Sequence, residues 1–295
     1  MGQPADSPEP TPGLGVETPS GPGVETPSGK DAAYENFPVG SFLLPARLRP
    51  HVARFYRFAR AIDDIADNTA LDADTKVRRL AGFEAALLGQ HPGDPEFATA
   101  HAMRDSLAET DITPRHCQDL IDVFKQDAVK GRYQDWDDLM HYCIRSAAPV
   151  GRYLIDLHGG SSLGYGPSDA LCNALQVINH LQDCQDDYRS LDRVYLPGDW
   201  LAAEGAVVED LDRPACTPAL RRVIDRCLDA TEILLDEARP ISSGMHSAIW
   251  EIARRLTDLL RRRDPLAGRV ALTKGGYAWC CAKGALAALV GLHGR

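Results

Sequence analysis

No stretch of the sequence alternates β-branched and polar residues, no two cysteines form a CxxC pair, and no histidines stand at HExxH or HxxxH spacing. Each absence removes a class. Without period-two alternation nothing argues for a sheet. Without a strand there is no place for a GxGxxG dinucleotide loop. The nine histidines offer no zinc ligand set. Positive charge is also short, with 32 Lys and Arg against 42 Asp and Glu and a net charge of −10, which excludes an extended basic groove for nucleic acid. The eight cysteines, at 117, 143, 172, 184, 216, 227, 280 and 281, follow nothing that resembles a secretory signal and read as reduced thiols of a cytoplasmic protein. Cys280 and Cys281 are expected to be small packing residues. The apolar run from Tyr277 to Leu292 is shorter than a membrane span and contains Lys283. It is expected to pack against the fold, with a transient, peripheral contact with a membrane surface left open.

What is present divides in two. Residues 1–31 are dense in Pro, Gly, Ser, Thr and Glu and repeat the heptapeptide GVETPSG at 15–21 and 23–29. So little apolar surface cannot offset the entropy of ordering, and a disordered tail is expected. Residues 32–295 carry apolar residues at helical spacing, which predicts one all-α domain, a compact bundle with a single core. Helices are expected at 49–67, 73–88, 95–109, 114–130, 135–158, 168–189, 217–238, 245–263 and 277–291. Thr113-Pro114 and Thr217-Pro218 look like helix starts, and Gly159-Gly160 and 164–167 like breaks. Phe55, Phe58, Tyr142, Tyr153 and Trp250 are expected in the core.

Two of these helices carry polar stripes. Gln176, Asn179, Asp183 and Asp187 recur at spacings of 3, 4 and 4, within roughly an 80° arc of one helix face at 100° per residue. Tyr56, Arg60, Asp63 and Asp67 do the same at 4, 3 and 4. A single DxxxD pair belongs by default to a solvated face, but two pairs with Gln, Asn, Arg and Tyr in register point to a site. Should the helices face each other, four carboxylates converge, and such a group stays ionised only beside cations. Several Mg²⁺ ions suit oxygen donors that must also meet phosphates. The implied chemistry is loss of diphosphate from an activated carbon into an otherwise apolar central cavity.

The segments FYRFARAIDDIAD (55–67) and QVINHLQDCQDDYRSLDRVYLP (176–197) resemble the two aspartate-rich motifs of the squalene and phytoene synthases, and the resemblance runs from about 34 to 275. It implies the all-α isoprenoid synthase bundle. It also implies metal binding by Asp63, Asp67, Asp183 and Asp187 with Asn179, beside Gln176, and diphosphate contacts from Arg60, Arg193, Tyr56 and Ser41. Arg60 and Arg193 can also serve as structural partners of the aspartates. The sequence departs from members that condense two farnesyl diphosphates. Their YC-x-Y-VAG-x-VG is YCIRSAAPVG here, so Arg145 replaces a tyrosine used in catalysis, and Gln182 stands where an arginine is usual.

Together with ENFPVGSFLLP (35–45), this pattern is similar to the hopanoid-associated branch that makes hydroxysqualene. That resemblance implies a carbon–oxygen lyase that ionises presqualene diphosphate and adds water, with no NADPH. A presqualene diphosphate synthase would precede it and a hydroxysqualene reductase follow it. Two alternatives stay open: head-to-head condensation of two prenyl diphosphates, and a non-catalytic helical assembly factor of the same family.

Overall fold

A computed structural model describes residues 44–239 and 244–292. The expected tail at 1–31 and Ser41 lie outside the described residues. The chain runs through α1 (Arg49–Asp67), α2 (Ala73–Leu87), α3 (Ala98–Thr110), α4 (Arg115–Asp127), β1 (Arg132–Tyr133), α5 (Trp136–Ser146), α6 (Ala148–Leu157), α7 (Tyr165–Leu191), β2 (Val194–Pro197), α8 (Gly198–Glu204), α9 (Pro218–Glu237), α10 (Gly244–Arg262) and α11 (Lys274–Leu292).

Local chemistry sets several of the helix starts. Asp72, Asp135 and Thr217 each accept a first-turn backbone N–H through the side chain, from Thr75, Asp138 and Leu220. Pro218 at the first helical position of α9 supplies a preset φ. Gly159, at φ +72°, follows the end of α6 and reverses the chain toward α7.

Three expectations about the elements need correction. The helix expected over 135–158 is two, α5 and α6, because Pro149 in the first turn of α6 has no N–H to continue the ladder across Ala147. A short helix, α8, was not foreseen; seven residues are too few to show a period. The chain also has a sheet: β1 and β2 pair in parallel, a ladder of two and four residues that no alternation could reveal. Small as it is, this ladder seats Arg193. The Val194 N–H donates to Gly131 O at 2.9 Å, so the residue before it is held against the end of α4.

In place of the single core expected, the apolar residues among the described ones form two clusters. One gathers α1 to α4 around Phe55, Phe58, Ile62, Phe83 and Met103, with Tyr153 of α6 stacked on Phe55 at 4.1 Å between ring centroids. The other surrounds α7 with residues of α5, β2, α9 and α10. Phe124 and Met245 pack against both. The expected core aromatics are buried, apart from Trp250, which is half-buried and donates its indole N–H to Leu235 O.

Candidate active site

Both polar stripes lie on half-buried faces. On α1, Val52, Phe55, Phe58 and Ile62 are buried, and Tyr56, Arg60, Asp63 and Asp67 stand at intermediate exposure beside them. On α7, Val177, Ile178, Leu181 and Cys184 are buried, and Gln176, Asn179, Asp183 and Asp187 run along the margin. A solvated face would leave such residues open to water; these line the edges of packed surfaces.

The carboxylates of the first motif are held by arginines. Arg60 donates to Asp63 Oδ2 at 2.8 Å and to Asp64 Oδ1 at 3.1 Å, so Asp64, buried and unremarked in the sequence, shares its charge. Arg193 donates to Asp67 Oδ1 at 2.5 Å, to the Ala66 carbonyl at 2.8 Å and to the Asp127 carbonyl at 3.2 Å. Its backbone N–H donates to the Asp187 carbonyl, where α7 ends in a left-handed Asp192 at φ 52°. One residue therefore joins the last turn of the second motif, the end of the first motif and the end of α4. Burial alone would pull its guanidinium down, but Tyr195, Asp127 and Asp67 outweigh that and raise its pKa, so it is permanently charged.

Behind Arg193 lies a buried polar network that sequence reasoning missed. Tyr142 and Tyr195 donate their hydroxyls to the two oxygens of Asp127, at 2.8 and 3.2 Å. Burial pushes the Asp127 carboxyl up to about 6, with Arg193 opposing the shift. The His180 ring stacks on Tyr195 at 3.7 Å, and burial, then Arg193, pulls it down to about 3. Neutral His180 accepts from Gln176 Nε2 at 3.3 Å, which turns this stripe residue toward the interior. Tyr195 inside DRVYLP, His180 inside QVINHLQD and Tyr142 at the head of YCIRSAAPVG lie in stretches the sequence singles out, but Asp127, which gathers them, carries no signal. Lys76 on α2 is a further cation of this region. Burial and then Arg193 pull its ammonium below the usual lysine range, while Asp67 raises it.

At the second motif, Arg269 approaches Asp183 to 4.0 Å from the connection between α10 and α11. That connection is anchored beside it: Gln182, where an arginine is usual, is buried and donates to the Val270 carbonyl. Arg145, at the position of the missing tyrosine, reaches from α5 to Gln126 Oε1 on α4 and donates to the His141 carbonyl.

Among the described residues no three of His, Cys, Asp and Glu stand close enough to hold one ion. α1 is built into one cluster and α7 into the other, and Arg193 joins them through Asp67 and the Asp187 carbonyl. The donor set still fits Mg²⁺, which takes one or two carboxylates and completes its shell with water and substrate phosphates. The surrounding cations, Arg60, Lys76, Arg193 and Arg269, fit a polyanion.

The family model described as squalene/phytoene synthase matches residues 31–275. The chain is 46% identical over 246 residues to a hydroxysqualene synthase of Rhodopseudomonas palustris, covering 81% of this chain and 83% of that one. It is 39% identical over 265 residues to the hydroxysqualene synthase of Zymomonas mobilis, covering 85% and 88%. A 15-cis-phytoene synthase of Paracoccus is 33% identical over 218 residues, covering 70% and 68%. Among solved structures, a squalene synthase HpnC from Alicyclobacillus acidocaldarius superposes with a TM-score of 0.61 at 30% identity, over 86% of this chain and 89% of that one.

Proposed function

Since the chain belongs to the squalene/phytoene synthase family, whose members act on prenyl diphosphates and use a divalent metal, we propose that it makes hydroxysqualene. Presqualene diphosphate loses its diphosphate by cleavage of the carbon–oxygen bond, the carbocation rearranges, and water adds to it with release of a proton. The overall reaction needs no reductant, so no NADPH is expected.

The observation that carries this reading is the seat of Arg193. A permanently charged guanidinium, 7% exposed, joins Asp67 to the end of the helix that bears Asp183 and Asp187. A fixed positive charge at this place would stabilise the negative charge of a leaving diphosphate. Asp63, Asp67, Asp183, Asp187 and Asn179 would hold Mg²⁺, with Gln176 beside them. Bound there, Mg²⁺ supplies positive charge for the departing diphosphate. Arg60, Arg193, Tyr56 and Ser41 would orient the diphosphate. Arg145 favours this reaction over condensation, because no phenol stands where the condensing members have one. The substrate would come from a presqualene diphosphate synthase and the product go to a hydroxysqualene reductase.

Purified protein given presqualene diphosphate and Mg²⁺ should yield hydroxysqualene with or without NADPH. Squalene or presqualene diphosphate formed from farnesyl diphosphate would overturn the assignment in favour of condensation. Failure to release diphosphate from either substrate would favour the assembly factor.

A further inference from the structure

We propose that α11 and the basic surface beside it form a docking face for an anionic lipid bilayer. The exposed side of α11 carries Trp279, Ala282, Lys283 and Leu286, one stripe at helical spacing. Trp279 is 55% and Leu286 61% exposed, while Cys280 and Gly284 are buried. A solvated helix face would be mostly charged; this one has a single cation, Lys283, whose ammonium is paired with Glu251 at 2.6 Å. An exposed tryptophan with an exposed leucine along the same stripe suits the headgroup level of a membrane. No helix among the described residues is long and apolar enough to cross one.

Charge gives the second observation. Residues 251–295 hold nine Lys and Arg against three Asp and Glu, a surplus of six positive charges in a chain of net charge −10. Arg262, Arg263 and Lys274 are exposed and make no ion pair among the described residues. These three cations, at the end of α10 and the start of α11, give the approach to α11 a local positive charge that favours an anionic surface. The same charge argues against a second copy as the occupant. A two-fold interface would bring the same basic patch against itself.

The face is continuous with the site. The connection that carries Arg269 to within 4.0 Å of Asp183, and that Gln182 anchors at Val270, leads directly into Lys274 at the start of α11. Docking by α11 therefore brings the second aspartate motif close to the bilayer, where a C30 alcohol partitions. That benefit rests on the proposed reaction; the surface itself does not.

Flotation of the full-length protein with phosphatidylcholine vesicles, with and without phosphatidylglycerol, tests this directly. Binding is expected only with the anionic lipid, and should be lost at high salt. Exchanging both Arg262 and Arg263 for Ser should weaken it about 25-fold, since each basic residue near such a surface contributes about fivefold. Trp279→Glu with Leu286→Glu should weaken it at least tenfold, and both variants should keep wild-type turnover on detergent-dispersed substrate. The proposal fails if wild-type protein binds neither vesicle or both equally. It also fails if the Trp279→Glu, Leu286→Glu variant dissolves a dimer present in the wild type, because a second copy then covers the face. Loss of turnover with vesicle binding intact would reject the proposed reaction and leave the docking face standing.

Discussion

Replacing Arg193 should damage stability and catalysis by separable amounts. Arg193→Ala removes three hydrogen bonds and leaves Asp67 and Asp127 without their common cation. Breaking a buried pair from one side costs about 3–5 kcal/mol. Asp67 is 20% exposed and recovers some hydration, so the lower part of that range is expected. For a domain of this size each kcal/mol moves the melting temperature by about 2–4 °C, and a fall of about 6–12 °C should follow. Arg193→Lys keeps the charge but cannot reach both carbonyls and Asp67, and should lose about 2 kcal/mol. Calorimetry at neutral pH reads the stability, and kcat/KM for presqualene diphosphate reads the function. Arg193→Lys should fold fully and still lose at least a hundredfold in kcat/KM, because its single ammonium cannot keep the bonds to the Ala66 and Asp127 carbonyls while meeting the diphosphate. A melting temperature of Arg193→Ala within 2 °C of wild type would refute the role of this residue as the link between the motif helices.

Asp63→Asn and Asp183→Asn should each abolish Mg²⁺-dependent diphosphate release while far-ultraviolet circular dichroism stays unchanged; turnover above a few per cent would reject the metal assignment. His180, held at about 3 by burial, is neutral in the folded protein, so its contribution to stability is present above its ordinary pKa of about 6.5 and is lost as pH falls below it. Asp127, raised to about 6, acts the other way: its contribution is present at low pH and disappears as pH rises through 6. His180→Phe should therefore flatten the acid loss of stability by up to about 1.4 kcal/mol per pH unit below pH 6.5, and Asp127→Asn should steepen it between pH 6 and 4. Denaturant titrations across that range decide both, and parallel curves for wild type and variants would reject the network. A Cβ on Gly151 would run into Ser168 Oγ and lie 2.8 Å from Cys172 Sγ, so Gly151→Ala should cost about 1–3 kcal/mol by forcing α6 from α7; an unchanged melting temperature would show that the contact yields.

The fold and the motif residues were legible because their signals are local. A 3.6-residue period survives in a single helix, and so do two DxxxD pairs with arginine and tyrosine in register. The missed features have no local period. Asp127 and Tyr142 meet across 15 residues, Gln182 and Val270 across 88, and Arg193 and Asp67 across 126. Nothing in the run VFKQDAVKG marks its aspartate as the buried acceptor of two tyrosines, since the reason for its burial lies on α5 and β2. The split of α5 from α6 did have a signal, Pro149, which the apolar periodicity on either side outweighed.

The ion pairs of the first motif bear on how the site is loaded. Asp63 is paired with Arg60 and Asp67 with Arg193, so both carboxylates of the first motif already have cations. A Mg²⁺ ion arriving alone would have to displace these pairs and gain few ligands, because no three His, Cys, Asp or Glu side chains among the described residues are placed to hold one ion. A diphosphate arriving with its metals changes the balance. Its oxygens complete the metal shell, and its charge attracts the same guanidinium groups that the aspartates exchange for metal. Metal affinity should accordingly be weak without substrate and rise at least tenfold with diphosphate present, the reciprocal effect appearing in diphosphate affinity. Calorimetric titration of Mg²⁺ with and without inorganic diphosphate measures both, and tight binding of Mg²⁺ alone would show that the arginine pairs do not compete.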